Sequence, residues 1–413
     1  MSVSEWREAK LCDIGEIVGG GTPSTKEESY YGGDIPWITP KDLSTHNERY
    51  IYRGERSITE EGLKNSSAKL MPKGTVLFSS RAPIGYVAIA GKELCTNQGF
   101  KSLIPKNGVA DSEFIYYLFK HKKSDIEAIA SGTTFLEVSG SAMKNISILL
   151  PPLPEQKAIA ATLSALDDMI ELNNQINKNL EEMAQAIFKS WFVDFEPFRD
   201  GEFEESELGL IPKGWKVGML GDFVEIVDNR GKTPPLSDVK TEYPIIDVRA
   251  LSGESRVIDY SNCTKYVEKE IYDSWFRSGH PKHLDILIST VGSIAEMKMF
   301  YGNKGCIAQN VVAFRSNGIS PCYLYQYLQY SKGDLLSYNI GSVQPSIKVT
   351  HVIKYKIIVP DEKTMSSFDM LMESISDQIH RNANESQILI AIRDTLLPKL
   401  ISGEIRVPVE EVV

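Results

Sequence analysis

The sequence predicts an α+β protein made by duplication: two globular units, each followed by a long helix, with the two helices paired as an antiparallel coiled coil about an approximate twofold axis. Three observations carry this. From Pro151 to Phe198, apolar residues recur three and four apart, at Ile159, Leu163, Leu166, Ile170, Ile176, Leu180, Met183 and Ile187, which is helix spacing rather than strand alternation. From Asp361 to Ile401 the same spacing holds at Met365, Phe368, Met372, Ile375, Ile379, Leu389, Ile392 and Leu396. A shift of 209 residues lays the second stretch on the first, with Pro360 on Pro151, Asp377 on Asp168, Asn382 on Asn173 and Leu389 on Leu180.

A helix of roughly 40 residues spans about 60 Å, longer than a compact domain needs, so most of it must pack against another long helix. Each copy supplies the partner for the other. Asn173 and Asn382 interrupt the two apolar stripes at the same place. A polar residue in the seam fixes register at a cost in stability; the alternative is a position on the solvated flank.

The repeat extends beyond the helices. Trp6 to Val18 aligns with Trp215 to Val227 at the same offset, Thr22-Pro23 answers to Thr233-Pro234, Lys41 to Arg249, Pro72-Lys73 to Pro281-Lys282, and Cys95 and Gln98 to Cys306 and Gln309. This is a twofold duplication rather than a solenoid. The expected division is a first globular domain over 1–150, a central helix over 151–199, an acidic linker over 200–212, a second globular domain over 213–359, a distal helix over 360–402 and a tail over 403–413. Within each unit the runs Thr75 to Ser80, Val87 to Ala90, Leu284 to Thr290 and Val311 to Phe314 read as short strands. Ser112 to His121 and Pro321 to Tyr330 read as helices.

The chain of 413 residues carries a net charge of -10, but unevenly. Residues 151–208 hold 4 basic and 13 acidic side chains and residues 361–413 hold 5 and 10, whereas residues 1–150 hold 18 of each and residues 209–360 hold 18 basic and 14 acidic. The globular parts can therefore present basic faces while the helices repel phosphate. No apolar run is long enough to span a bilayer, and the opening MSVSEWREAK lacks a signal-peptide core, so a cytoplasmic location is expected. Five cysteines occur singly, without a CxxC pair, and the six histidines form no ligand spacing; this suggests no zinc site, and the cysteines read as small buried residues. The cluster Trp191, Phe192, Phe195 and Phe198 reads as core at the end of the central helix.

Two equivalent units on antiparallel helices match the local twofold symmetry of duplex DNA, so each could occupy one of two half-sites. The units differ between their shared framework residues, so the target would be asymmetric and bipartite. The blander alternative is a pair of protein-docking modules on a coiled-coil spacer.

The order WxxxxLxD (Trp6, Leu11, Asp13), Gly20-Gly21-Thr22-Pro23, the long segment Ile148 to Pro197 and the closing LLPKLISGEIRV from Leu396 to Val407 resembles the specificity subunit of type I restriction-modification systems over essentially the whole chain. In the second copy PPLPEQ is replaced by Pro360-Asp361-Glu362-Lys363, a departure from the pattern. The resemblance implies two target recognition domains reading double-stranded DNA with the helices as spacer. It also implies docking of two modification subunits that bind S-adenosylmethionine and methylate adenine N6, and of restriction subunits that cut DNA using ATP and magnesium. The chain itself would be non-catalytic and hold no cofactor or metal.

Absent motifs agree with that expectation: there is no Asn-Pro-Pro-aromatic tetrapeptide, no GxGxxG and no GxxxxGK[ST]. Asp285 followed by Glu296-Met297-Lys298 has the acid, acid-x-Lys form of a metal-dependent nuclease, and supplies a competing reading as a stand-alone nuclease. For base reading, Arg and Lys suit guanine, Asn and Gln suit adenine, and small hydroxyl residues suit either. The matched turns offer Thr22, Ser24, Thr25, Lys26, Lys41, Ser79, Ser80, Arg81, Asn97 and Gln98 in the first unit, and Arg230, Lys232, Thr233, Arg249, Ser289, Thr290, Gln309 and Asn310 in the second. Alternatively Ser79, Ser289, Gln98 and Gln309 bond the backbone of their own turns, and the lysines meet phosphates.

Overall fold

A computed structural model describes residues 5–46, 48–81, 83–132, 136–231, 233–302 and 304–408. The chain forms two compact units, one from residues 1–171 with 386–413 and one from residues 172–385. The central helix, Leu153–Phe192, and the distal helix, Glu362–Ser402, each contribute to both.

In the first unit a five-stranded sheet runs in the order Gly15–Gly19, Lys101–Pro105, Val76–Phe78, Val87–Ala90, Tyr50–Ile51. Val76, Leu77 and Phe78 are all buried, as a central strand with both faces covered requires. A second sheet places Tyr31–Ile38 between Arg56–Ile58 and Cys95–Thr96, and its pairing with Cys95–Thr96 is parallel. The helix Ser112–His121 packs on Val76–Phe78 and Val87–Ala90; Asp111 caps it by accepting from Phe114 N at 3.0 Å. Arg7–Lys10 pairs antiparallel with Ser147–Leu150, which leads into the central helix.

The second unit repeats this plan. Val224–Val227, Val311–Ser316, Ile286–Ser289 and Met297–Met299 form a sheet in that order, and Ile245–Ile246 pairs in parallel with Cys306–Ile307. The helix Pro321–Tyr330 starts with proline and is capped by Ser320, whose Oγ accepts from Tyr323 N at 3.1 Å. The expected acidic linker is corrected here: Phe203–Ser206 and Gly209–Pro212 form an antiparallel hairpin. The central helix also stops at Phe192 rather than continuing to residue 199, and Phe195 turns at φ 52. Its aromatic end is core: Phe192, Phe195 and Phe198 lie 5.7, 5.7 and 5.0 Å from Trp215.

Both long helices are tied to their units by the same device. Trp6 Nε1 donates to Glu155 Oε2 at 3.0 Å in the first, and Trp215 Nε1 to Asp361 Oδ2 at 3.0 Å in the second. Asp361 also accepts from Thr364 N at 3.0 Å, so it caps the distal helix where PPLPEQ is missing. The helical segments run antiparallel within each unit. Arg393 reaches Asp167 at 2.6 Å in the first; in the second, Asn173 donates to Glu385 at 2.9 Å and Phe192 meets Phe368 at 4.9 Å. Asn173 and Asn382 are 4% and 5% exposed, so both lie in the seam, where Asn382 Nδ2 donates to Asn177 Oδ1 at 2.9 Å and Asn177 Nδ2 to the Ile379 carbonyl at 3.1 Å. Among the described residues no helix is long and apolar enough to cross a membrane. Four of the five cysteines are buried; Cys12 is exposed, against expectation.

Candidate nucleic-acid interface

The two parallel strand pairs create equivalent sites. In the first unit Trp37–Ile38 runs beside Cys95–Thr96, so the turns that follow both strands emerge at the same end. Asn97 N donates to the Ile38 carbonyl at 2.9 Å, and Gly21 N donates to the Thr96 carbonyl at 2.9 Å, bringing in the Gly-Gly-Thr-Pro loop. That loop cannot sit further off. A Cβ on Gly20 would fall 1.9 Å from the Asn97 carbonyl oxygen, and Trp37 Nε1 donates to the Gly21 carbonyl at 2.9 Å. Thr22 Oγ1 then donates to Gln98 Oε1. Three segments, the loop from Thr22 to Lys26, the short helix Pro40–Ser44 with Lys41, and the turn Asn97-Gln98, converge on this end.

The second unit builds the same arrangement from different residues. Ile245–Ile246 beside Cys306–Ile307 delivers Asp247 to Arg249 and Gln309-Asn310 together, since Ala308 N donates to the Ile246 carbonyl at 2.9 Å. Gln309 Nε2 donates to Thr233 Oγ1 at 3.0 Å, drawing in the loop that carries Arg230. Thr22, Asn97, Gln98 and Lys41 in the first unit, and Arg230, Thr233, Arg249, Gln309 and Asn310 in the second, thus lie on segments that the parallel strand pair brings together. Ser24, Thr25 and Lys26 are exposed on the first loop; Lys232 lies outside the described residues.

Four candidates are withdrawn. Ser79, Ser80, Ser289 and Thr290 are at most 1% exposed and bond backbone groups, Ser79 and Ser289 in their own turns and Ser80 and Thr290 across to a neighbouring one. Ser79 Oγ donates to the Pro83 carbonyl at 2.9 Å and accepts from Tyr86 N at 2.8 Å; Ser289 Oγ donates to the Ser293 carbonyl at 2.5 Å and accepts from Glu296 N at 2.8 Å. Ser80 Oγ donates to the Gly99 carbonyl at 3.2 Å and Thr290 Oγ1 to the Asn310 carbonyl at 3.3 Å. Reaching a base edge would require opening a buried, satisfied turn, so these are framework groups. Gln98 and Gln309, by contrast, bond threonine hydroxyls rather than their own backbone. Asn97 Oδ1 accepts from Gly99 N at 2.9 Å, holding the turn that presents Gln98.

Four of the cationic candidates are paired with a carboxylate. Lys41 meets Glu55 at 2.7 Å, Arg81 meets Glu137 at 2.9 Å, Arg249 meets Asp247 at 2.8 Å, and Arg230 Nε meets Asp228 at 2.8 Å. The hydrogen bond that Lys41 donates to Glu55 raises the Lys41 pKa, and those that Arg249 donates to Asp247 raise the pKa of Arg249. Burial pushes the Asp228 carboxyl up, but the guanidinium and backbone N–H of Arg230 outweigh it and hold the pKa below the ordinary range. Sequence reasoning missed these carboxylates, although Asp228-x-Arg230 and Asp247-x-Arg249 share one local spacing.

It also missed two buried arginines. Arg49 reaches Asp168 on the central helix, and its backbone N–H donates to Glu171 at 3.1 Å. Arg256 is fully buried; its Nε and Nη2 donate to Glu181 at 2.9 and 2.7 Å and its Nη1 to Ser376 at 2.6 Å. Each fastens a recognition unit to its helical segments. The acid, acid-x-Lys pattern does not form a shared site. Asp285 accepts from Arg315 at 2.8 Å, Glu296 pairs with Lys332 at 3.1 Å, and Lys298 Nζ donates to the carbonyls of Gly253, at 2.8 Å, and Ser255. Among the described residues no group of three or more His, Cys, Asp or Glu side chains could hold a metal ion.

The family model described as the type I restriction modification DNA specificity domain matches residues 3–182 and again 212–388. The chain is 38% identical to the type I restriction enzyme MjaIX specificity subunit of Methanocaldococcus jannaschii, over 98% of this chain and 94% of that one. It is 22% identical to the HindI specificity subunit of Haemophilus influenzae, over 98% and 100%. The crystal structure of a type I restriction-modification S subunit from M. genitalium shares the fold, with a TM-score of 0.55 at 19% identity and 97% coverage of both chains.

Proposed function

Since the chain belongs to the type I restriction-modification DNA specificity family, we propose that it directs a restriction-modification complex to an asymmetric, bipartite DNA target, one half read by each unit. The observation that carries this reading is the repeated three-segment site. A Thr–Gln bond holds the same framework in both units, Thr22 with Gln98 and Thr233 with Gln309, while the charged residues around it differ. A rigid frame with exchangeable contacts is what two unlike half-sites require.

The chain acts as a non-catalytic guide. Partner modification subunits bring S-adenosylmethionine and transfer its methyl group to adenine N6. Restriction subunits bring ATP and magnesium for cutting. The acidic helices, which repel phosphate, scaffold those subunits, and the recognition units take the DNA.

The test is a map of N6-methyladenine across the host genome with this gene intact and deleted. Disappearance of one bipartite motif, two unlike halves around a fixed gap, is the expected result. An unchanged map in a host that expresses the whole system would refute the reading.

A further inference from the structure

We propose that Asp228 and Asp247 hold Arg230 and Arg249 as guanine readers, so that the half-site taken by the second unit contains G·C pairs which these two arginines select. This deepens the DNA-specificity reading above and rests on it. The same local construction occurs twice. In each, the aspartate Oδ1 accepts the backbone N–H of the arginine two residues on, at 3.0 Å, and the carboxylate also engages that arginine's guanidinium. The guanidinium bonds run through Nε, at 2.8 Å to Asp228 Oδ2 and 3.2 Å to Asp247 Oδ2, and through Nη2. The aspartate thereby fixes turn and side chain together and leaves the Nη1 edge of the fork unused by the carboxylate. Arg249 Nη2 also donates to Thr264 Oγ1 at 2.8 Å, a contact that Arg249 must release to present Nη1 and Nη2 together to a base.

An arginine meant for phosphate gains nothing from a neighbouring carboxylate, which repels phosphate and cancels its charge. An arginine meant for guanine gains orientation, because O6 and N7 are two acceptors that must be met by a fork at a fixed angle. Both arginines are exposed, and both loops reach the converging end of the parallel strand pair, one through Thr233 and Gln309 and the other directly after Ile246. The first unit has Lys41 where Arg249 stands, and it pairs with Glu55, fourteen residues along. The two units therefore present different cations, differently held, at this matched position.

The experiment compares methylation motifs directed by the intact system carrying the wild-type chain, Arg230→Lys, Arg249→Lys, Asp228→Asn or Asp247→Asn. Each Arg→Lys change is expected to make one required G·C pair permissive, with discrimination at that pair falling about 5- to 150-fold and the other half-site unchanged. Each Asp→Asn change relaxes the same pair by less, whereas a merely structural carboxylate would lower total methylation without altering base preference. Motifs that stay equally stringent in all four variants overturn the proposal, and so does a loss spread evenly over every position, as phosphate contacts would give. If the wild-type chain directs no motif, the DNA-specificity reading itself fails and takes this proposal with it.

Discussion

Gln309 Nε2 donates to Thr233 Oγ1 at 3.0 Å, and the residues 211 positions earlier in the sequence, Gln98 and Thr22, form the matching pair in the first unit with the threonine as donor. The pair locks the Gly-x-Thr-Pro loop to the turn after the parallel strands. Thr233→Val keeps the side-chain shape and removes the bond. Because the pair is solvent-exposed, stability should change by no more than about 1 kcal/mol. Methylation should weaken through the half-site of the second unit for Thr233→Val and through the other for Thr22→Val. Unaltered site preference in both variants would show that the loops need no such lock.

Arg256 and Glu181 form a buried ion pair, with the Tyr325 ring 5.2 Å from the guanidinium. Burial alone would lower the Arg256 pKa, but the Glu181 carboxylate overcomes it and raises it. Arg256→Met strands Glu181 and should cost about 3–5 kcal/mol, most of it recovered when Glu181→Leu is added. Denaturant midpoints of the three variants measure this; simple additivity would rule out direct coupling.

In the helix seam Asn382 bridges Asn177 and Gln378, at 2.9 and 2.7 Å. Asn382→Leu should destabilise by about 1–3 kcal/mol, since Asn177 loses its partner in a buried place. Replacing Asn177 and Asn382 together by leucine should restore stability but relax register. Disulfide trapping between cysteines introduced across the seam reads this out: one register in the parent, several in the double variant.

The Lys298 ammonium is buried, and desolvation pushes its pKa down to about 8 although Glu181 and Glu296 pull it up. The unfolded chain keeps that proton up to the ordinary lysine value of 10.5, so between pH 8 and 10.5 it binds more protons than the folded chain. This residue's contribution to stability should therefore rise with pH across that window. Comparing the unfolding free energy of wild type and Lys298→Met from pH 7 to 10.5 isolates the slope, and equal slopes would contradict it.

Gly74 turns at φ +88, and a Cβ there would lie 3.1 Å from Ser112 Oγ, whose hydroxyl donates to the Gly74 carbonyl at 2.7 Å. Gly74→Ala should cost about 1–2 kcal/mol from the left-handed backbone alone. Calorimetry that finds no drop in melting temperature would show that the turn accepts a side chain in the left-handed region, as the matching turn of the second unit does with Leu284 at φ 67.

The duplication and the helices were legible because periodicity and self-similarity are properties of the sequence itself. Ser112–His121 and Pro321–Tyr330 have the bounds their spacing predicts, since each also carries its own cap, Asp111 or Ser320. The 200–212 segment misled because its acids and glycine resemble a linker, whereas cross-strand pairing of Phe203 with Pro212 and Ser206 with Gly209 decides its structure. Ser79, Ser80, Ser289 and Thr290 misled for a related reason: hydroxyl chemistry is visible in sequence, but burial is not. Arg49 and Arg256 stayed hidden because their partners lie more than 70 residues away, and nothing local distinguishes a buried clamp from a surface cation.

Leu400 and Ile401 lie in the same core as Phe78, Ile115 and Leu150. A ribosome making the chain releases the first recognition domain long before it supplies that wall. The 250 residues from Leu150 to Leu400 take roughly 12 to 50 s at ordinary synthesis rates. The second unit, bounded by Leu172 and Glu385, has all its segments sooner. The domain translated first is thus the one completed last, and its exposed apolar face during that delay makes it the part of the nascent protein most in need of a chaperone.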